Sequence, residues 1–483
     1  MNPKKWIETA WPDLILVVLL SCLTVNRIAP AFLNADAIMI SIMSLQKLTL
    51  FYWEQNRLAN LLPLLAFPLR DPALNLYACM LIPCFALYGL FWFCADRVAP
   101  KAVQNGERVA IRRLIFLGLA CSFFLIVKPI VVYDVAILHV EYALPFLLLG
   151  IAFFNFVSRP PPAFAAFAVS GALLSVAMGV NFSIVLPALA LSVGRCLLNR
   201  KIDRASIVFA GLTVAAFVVW MVIARFHPGP KGTYTDLDLL AIYTKLPLVF
   251  ARIVDVLHIW TLILVVVSVA VSWLVIARRM PDDRRPAGIV RLPAVLVLIA
   301  FACGWLLLLA ASAWIAVNSY HFRYATPILF VLLVLLSFGL CFVAMALDRR
   351  SRHIANGVLV VGLVAFLAGP FVPVREYPQF KRYANLFPAP VHLFAGDYWR
   401  VWPQVMATLL QGKESFGFAF RAVAVRKKII RHVAADTQNV FYVGCLGAPV
   451  EQCRAQVKAI LATAKLVDAK KLTDDASLLT LSK

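Results

Sequence analysis

The sequence predicts an all-α polytopic membrane protein of about 11 transmembrane helices, with interfacial helices in the first outer loop and a small soluble α/β domain at the C-terminal end. Three observations lead there. Hydrophobic residues make up 62% of the 483-residue chain and charged residues 14%, at a mean hydropathy of +0.85, which excludes an ordinary soluble protein. Apolar runs of about 20 residues, the length that spans a hydrocarbon core of about 30 Å, recur along most of the chain. Beyond position 374 the sequence turns polar and mixed, so two domains are expected, 1–374 in the membrane and 375–483 outside it.

The spans are expected near 13–33, 73–95, 114–133, 142–158, 162–180, 182–199, 206–225, 256–277, 292–316, 325–347 and 355–374. The fourth to sixth are so close together that Pro160-Pro161-Pro162 and Asn181 must make the turns. The first run follows Lys4-Lys5, as in a signal peptide, and Leu20-Ser21-Cys22 resembles a lipoprotein site. No cleavage site interrupts it and many spans follow, so it reads as the first helix.

Charge orients these spans. With the N-terminus cytoplasmic, inner loops hold 20 of the 46 cations, outer loops and helix ends hold 10, and the segment after 374 holds 16. That bias obeys the positive-inside rule and puts the C-terminal domain outside a plasma (inner) membrane, in an extracytoplasmic or periplasmic space. The net charge of +22 is thus largely topogenic, and clusters such as Arg278-Arg279 face anionic membrane lipids rather than nucleic acid. Eight of the ten cysteines fall in or beside apolar spans, where a thiol acts as a small hydrophobe. Cys445 and Cys453 do not, and their spacing permits a disulfide in an oxidising compartment. In the tail, NVFYVGC reads as a strand, CRAQVKAILATAKLVDAKKL (453–472) as an amphipathic helix and LLTLS as a strand.

Polar residues gather on the outer face in four stretches. Asp36 opens the first, followed by a segment with Ser41, Ser44 and Lys47 on one stripe and Ile38, Ile42 and Leu45 opposite, as in a helix lying in the interface. FYWEQNRLANLLP then adds Glu54, Asn56 and Arg57 among aromatics; an interfacial anchor has the same composition. The second stretch, LIVKPIVVYDVAILHVEYALP, places Lys128 in an apolar run, where a cation needs a partner or a wet cavity. Asp134, His139 and Glu141 follow, ligand types suited to a divalent metal at a spacing that matches no specific metal motif. A polar turn with a snorkelling lysine is the plainer reading. The third stretch, with His227, Lys231, Asp236, Asp238 and Lys245, reads as a solvated loop or a cover to a cavity. The fourth concentrates His321, Arg323 and Tyr324 at a helix start, where arginine offers a planar fork to phosphate or anchors the helix at the interface. GDYWRVWPQVMATLL places Tyr398, Trp399 and Trp402 either to stack on sugars or to pack the tail domain.

The early outer-loop carboxylate Asp36, the helix after it, the acidic loop with Asp134 and Glu141, the FRYATP entry to a late helix and the outer C-terminal domain together resemble the GT-C superfamily of integral membrane glycosyltransferases. The resemblance implies transfer of a sugar from a polyprenyl-phosphate donor to a glycan, lipid or protein acceptor at the outer face. It implies Asp36 as the catalytic carboxylate, with Arg57, Lys128, His321, Arg323 and Tyr324 as candidates for the donor phosphate. Glu54, Asn56, Asp134, His139 and Glu141 are candidates for sugar or acceptor, and the last three leave room for a divalent Mg or Mn ion. The first loop departs from the family in that Asp36 stands alone there and is not part of an adjacent acidic pair.

The chemistry has its own logic. Displacement at an anomeric carbon needs a carboxylate to take the acceptor's proton, cations for charge growing on the departing phosphate and a groove for the lipid. No Walker-type glycine loop is present, which argues against coupling to ATP. Two other readings stay open: a lipid-linked-sugar flippase or secondary transporter, which favours charges at mid-membrane depth and internal repeats, and an O-antigen ligase or polymerase.

Overall fold

The computed structural model describes residues 3–51, 59–100, 103–157, 164–226, 236–257, 292–381, 386–387, 391–419, 440–461 and 465–482. It is mainly helical, and contacts divide it into two compact units. One comprises Met1–Ile28, Leu81–Ile223 and Gly232–Gly369, the other Ala29–Met80, Ala224–Lys231 and Pro370–Lys483.

The helices in chain order are α1 (Pro3–Phe32), α2 (Ala35–Gln46), α3 (Leu61–Ala66), α4 (Pro72–Val98), α5 (Asn105–Ile126), α6 (Pro129–Val132), α7 (Val140–Val157), α8 (Phe164–Val180), α9 (Val185–Asn199), α10 (Arg204–Phe226) and α11 (Ile242–Val256). They continue with α12 (Leu292–Ala311), α13 (Ala313–Val317), α14 (Thr326–Ala346), α15 (Arg349–Leu367) and α16 (Pro378–Lys381). Among the described residues eight helical segments are long and apolar enough to cross a membrane, and α8 and α12 are among four shorter apolar helical segments. Ten of the eleven expected spans therefore correspond to a helix; the eighth, 256–277, lies almost wholly outside the described residues.

Two boundaries differ from expectation. The third span is expected at 114–133, yet α5 stops at Ile126 and Lys128 takes an extended backbone before Pro129. Proline forces this, since it has no amide to donate and its ring excludes the preceding residue from helical geometry. Lys128 is therefore an exposed residue at a helix break, not a cation within a spanning helix. The last span starts earlier than 355, because Asp348 caps α15 by accepting from the amides of Arg350 and Ser351 at 3.0 and 3.3 Å. Arg352, which precedes the expected span, belongs to this helix and pairs with Glu107 at 2.5 Å.

The membrane unit also holds an ionic cluster that hydropathy conceals. Asp13 on α1 is fully buried and accepts from Arg112 Nε and Nη2 at 2.9 and 2.6 Å, from Arg113 Nε at 2.8 Å and from Trp92 Nε1 at 3.3 Å. Asp96 at the end of α4 accepts from Arg108 at 3.0 Å and lies 3.4 Å from Arg112. Further along, α7 and α8 form a hairpin around Leu149, Phe153, Phe156, Leu174 and Met178. Asn181 makes the next turn by accepting from the Ser183 amide.

In the second unit the residues after α1 fold with the C-terminal segment. Asn34 caps α2, accepting from the amides of Asp36 and Ala37. The serine stripe does not face water: Ser41 donates to Asn75 Oδ1 at 2.7 Å, while Asn75 Nδ2 donates to Ser44 and to the carbonyls of Ala66 and Leu69. A buried asparagine with its hydrogen-bonding capacity filled fixes α2 against α4. Gln46 donates to the Ser415 carbonyl at 2.8 Å, and Arg375 pairs with Asp71 at 3.4 Å.

The C-terminal segment carries a five-stranded sheet in the order β2-β1-β3-β5-β4, formed by β1 (Leu393–Gly396), β2 (Phe416–Ala419), β3 (Val440–Leu446), β4 (Lys465–Thr473) and β5 (Ala476–Ser482). β1 runs parallel to β2 and β3, and β5 antiparallel to β3 and β4. Helices α17 (Tyr398–Leu410) and α18 (Val450–Ile460) follow β1 and β3. The expected helix 453–472 is overturned in its second half, where residues 465–473 form β4. The buried, apolar β5 needs a partner on its open side, and the lysine-rich β4 supplies it while charging the sheet edge. The expected pairing of Cys445 with Cys453 is present as a disulfide joining β3 to α18, with Cα atoms 6.0 Å apart.

His392, just before β1, stacks on Phe441 and Tyr442, and its Nδ1 accepts from the Tyr442 amide at 3.2 Å. Burial holds its pKa below the usual histidine value. The neutral ring therefore stabilises the fold above the unfolded-state pKa of about 6.5, and that contribution fades as pH falls towards and through the lower folded value. Thermal melting between pH 7.5 and 5 is expected to show a loss of stability that His392→Phe reduces.

Candidate functional site

In the second unit the candidate catalytic carboxylate is held from two sides. Asp36 sits in the first turn of α2, where the helix dipole favours a negative charge. Its Oδ1 accepts from the Tyr398 hydroxyl at 2.6 Å, the short distance of a charge-assisted bond. Tyr398 is the first residue of α17, whose cap Asp397 accepts from the Trp399 amide at 3.1 Å. Gly396, at the end of β1, sets the approach: its φ is +130°, and a Cβ there would lie 2.1 Å from the Leu446 carbonyl oxygen. The aromatic residues divide, with Trp402 fully buried as packing and Trp399 56% exposed. Glu54, Asn56 and Arg57 lie outside the described residues; the ends of their segment are joined by a bridge between Phe51 and Ala59.

The membrane unit assembles the second and fourth stretches. After α6 the chain passes through a six-residue π-helical turn, Tyr133–Leu138, all of it buried, a geometry often found at functional sites. This turn carries Asp134, and the His139 amide donates back to the Asp134 carbonyl at 3.0 Å. His139 is buried, with Nδ1 2.8 Å from Glu141 Oε1. Asn181 fixes the backbone there by donating to the Glu141 carbonyl at 2.7 Å.

The other half comes from the entry to α14. Ser319 and Tyr320 both have φ of +53°, a left-handed conformation that costs about 1–2 kcal/mol per L-residue. This turn delivers His321, whose Nε2 lies 3.9 Å from Asp134 Oδ2 and whose Nδ1 accepts from the Arg323 amide at 3.3 Å. Arg323 donates to the Tyr324 hydroxyl at 3.0 Å and attracts the Glu141 carboxylate. Trp305 donates to the Tyr324 carbonyl at 2.9 Å.

Asp134, His139, Glu141, His321, Arg323 and Tyr324 thus converge. Where the ring is neutral and Glu141 accepts its Nδ1 proton, Nε2 of His139 is the proton acceptor, and no described group hydrogen-bonds to it. The cluster offers one acceptor nitrogen, carboxylates for hydroxyl groups and one guanidinium fork for phosphate. It does not fit the metal expectation. Glu141 is engaged by His139 and Asp134 faces His321, and among the described residues no group of three or more His, Cys, Asp or Glu is placed to hold an ion. The third stretch contributes Asp236 and Asp238 mainly through backbone bonds to Ala313 and Ala311.

Two supporting hydrogen bonds, those of Tyr398 and Asn181, are not part of the sequence expectations. The hydrogen bond from Tyr398 to Asp36 crosses 362 positions and has no local signal. Asn181 reads in the sequence as a turn residue, and a single amide between two apolar runs is also a signal for a buried hydrogen bond.

No family model matches the chain, and no curated protein matches its sequence. Among solved structures it is similar to the crystal structure of ArnT from Cupriavidus metallidurans bound to undecaprenyl phosphate. The two are 13% identical with a TM-score of 0.47, over 99% of this chain and 98% of that one.

Proposed function

We propose that the protein is a membrane glycosyltransferase that moves a sugar from a polyprenyl-phosphate carrier to a hydroxyl of a glycan, lipid or protein outside the cytoplasmic membrane. The observation that carries this reading is the Asp36 carboxylate, fixed at the start of α2 by the Tyr398 hydroxyl at 2.6 Å. A carboxylate so oriented can take the acceptor's proton as its oxygen attacks the anomeric carbon. The bond from that carbon to the phosphate oxygen breaks, and the carrier leaves as polyprenyl phosphate.

Arg323, with His321 and Tyr324, is assigned to the charge that grows on the leaving phosphate, the role in which fixed donors contribute most. Glu141 and His139 are assigned to hydroxyl groups of sugar or acceptor. Alternation of the spans read in the sequence assigns Asp36, the 134–141 segment and the 321–324 turn to one face of the membrane. The Cys445–Cys453 disulfide supports an oxidising compartment for the C-terminal unit. A transporter would be favoured by unpaired charges deep in the bundle; the buried Asp13 cluster is instead internally paired.

The test is turnover by the purified protein in lipid nanodiscs. Polyprenyl phosphate should be released from a polyprenyl-phosphate sugar when acceptor is present, and a nucleotide sugar should give none. Arg323→Ala should lower kcat/KM for the lipid donor by about 10–100-fold, the worth of a charged hydrogen bond. Movement of the intact lipid-linked sugar between leaflets, with no bond cleaved, would replace this reading by a flippase.

A further inference from the structure

We infer that the hollow at the turn between α9 and α10 binds a phosphate group, that of an anionic phospholipid head. The two helices end and begin membrane-spanning segments, Phe182–Asn199 and Arg204–Phe226. The turn therefore lies at the level where lipid head groups meet the protein. A hollow of about 600 Å³ opens there, lined by Arg195, Asn199, Arg200, Lys201 and Asp203 together with two leucines.

Its charge is unbalanced. Arg195 Nε donates to Asp203 Oδ2 at 3.0 Å, and Asp203 also accepts from the Ser206 amide and hydroxyl. The lone acid is thus committed to its own turn, which leaves the exposed Arg200 and Lys201 facing no lining acid. Arg200 ends α9 with φ of +50°, the left-handed position that glycine usually fills and where an L side chain costs free energy. The chain accepts that strain and places a guanidinium at the hollow. Around it, Leu197 and Ile202 are 56% and 79% exposed, aliphatic surface suited to acyl chains. Basic pockets beside membrane helices take phosphate head groups on these grounds. The exposed aliphatic surface beside the cations, at the depth of the head groups, favours the lipid over free phosphate.

The backbone supplies a clean variant. Arg200→Gly relieves the left-handed residue, so Arg200→Gly/Lys201→Ala should melt like the wild type. Phosphatidylglycerol and phosphatidylcholine bound to the full chain can be counted by native mass spectrometry. The wild type should prefer phosphatidylglycerol, and the variant should lose about 10- to 30-fold of that preference, as removal of two surface cations implies. Millimolar inorganic phosphate separates the sources: failure to displace the lipid assigns the hollow to the head group, and displacement assigns it to a soluble phosphate. A wild type without preference, or a variant that retains it, overturns the proposal.

Discussion

Asp13→Ala is expected to destabilise the membrane unit by about 3–5 kcal/mol, visible as a lower thermal midpoint of the protein in detergent. Asp13 is inaccessible to solvent and receives four donors, two of them from Arg112, whose side chain is 3% exposed. Truncation leaves that guanidinium buried without its closest carboxylate partner, Asp96 lying farther off at 3.4 Å. Removing one partner of a buried pair costs more than removing both, because the survivor keeps its desolvation penalty. The double variant Asp13→Leu/Arg112→Met should therefore recover much of the stability lost in Asp13→Ala. A single variant that melts like the wild type would mean that the cluster holds nothing together.

What the sequence disclosed follows from the range of the forces involved. Spans were legible because hydropathy is summed over about 20 neighbours, and their ends failed where one residue decides, as Pro129 ends α5 and Asp348 starts α15. The Asp134, His139 and Glu141 set and the His321, Arg323 and Tyr324 set were legible because ionisable groups beside apolar spans are costly without a use. Their convergence was not, since it depends on a π-helical turn and two left-handed residues that no periodicity announces. Asp13 passed as the start of a span; its partners lie about 80–100 positions away, beyond any pattern rule. The 465–473 segment passed as helix because alternation in a lysine-rich edge strand is weak, and its pairing with β5 overrode local preference.

Asp36→Asn is expected to reduce sugar transfer by about 10²–10⁴-fold, the usual contribution of a positioned general base. The change is nearly isosteric, and the amide oxygen can still accept from Tyr398, so α2 and α17 should keep their contact and the protein its melting temperature. Donor affinity should also persist, because the lost function is the acceptor's proton and not the lipid phosphate. Loss in turnover at constant donor affinity is the pattern of an interaction made only in the transition state. General misfolding would lower both.

The most direct measurement is single-turnover transfer from a labelled polyprenyl-phosphate sugar by wild type and Asp36→Asn, with bound donor counted in the same samples. The account predicts equal donor occupancy and near-complete loss of transfer in the variant. Transfer at the wild-type rate from an equally occupied Asp36→Asn protein would contradict it.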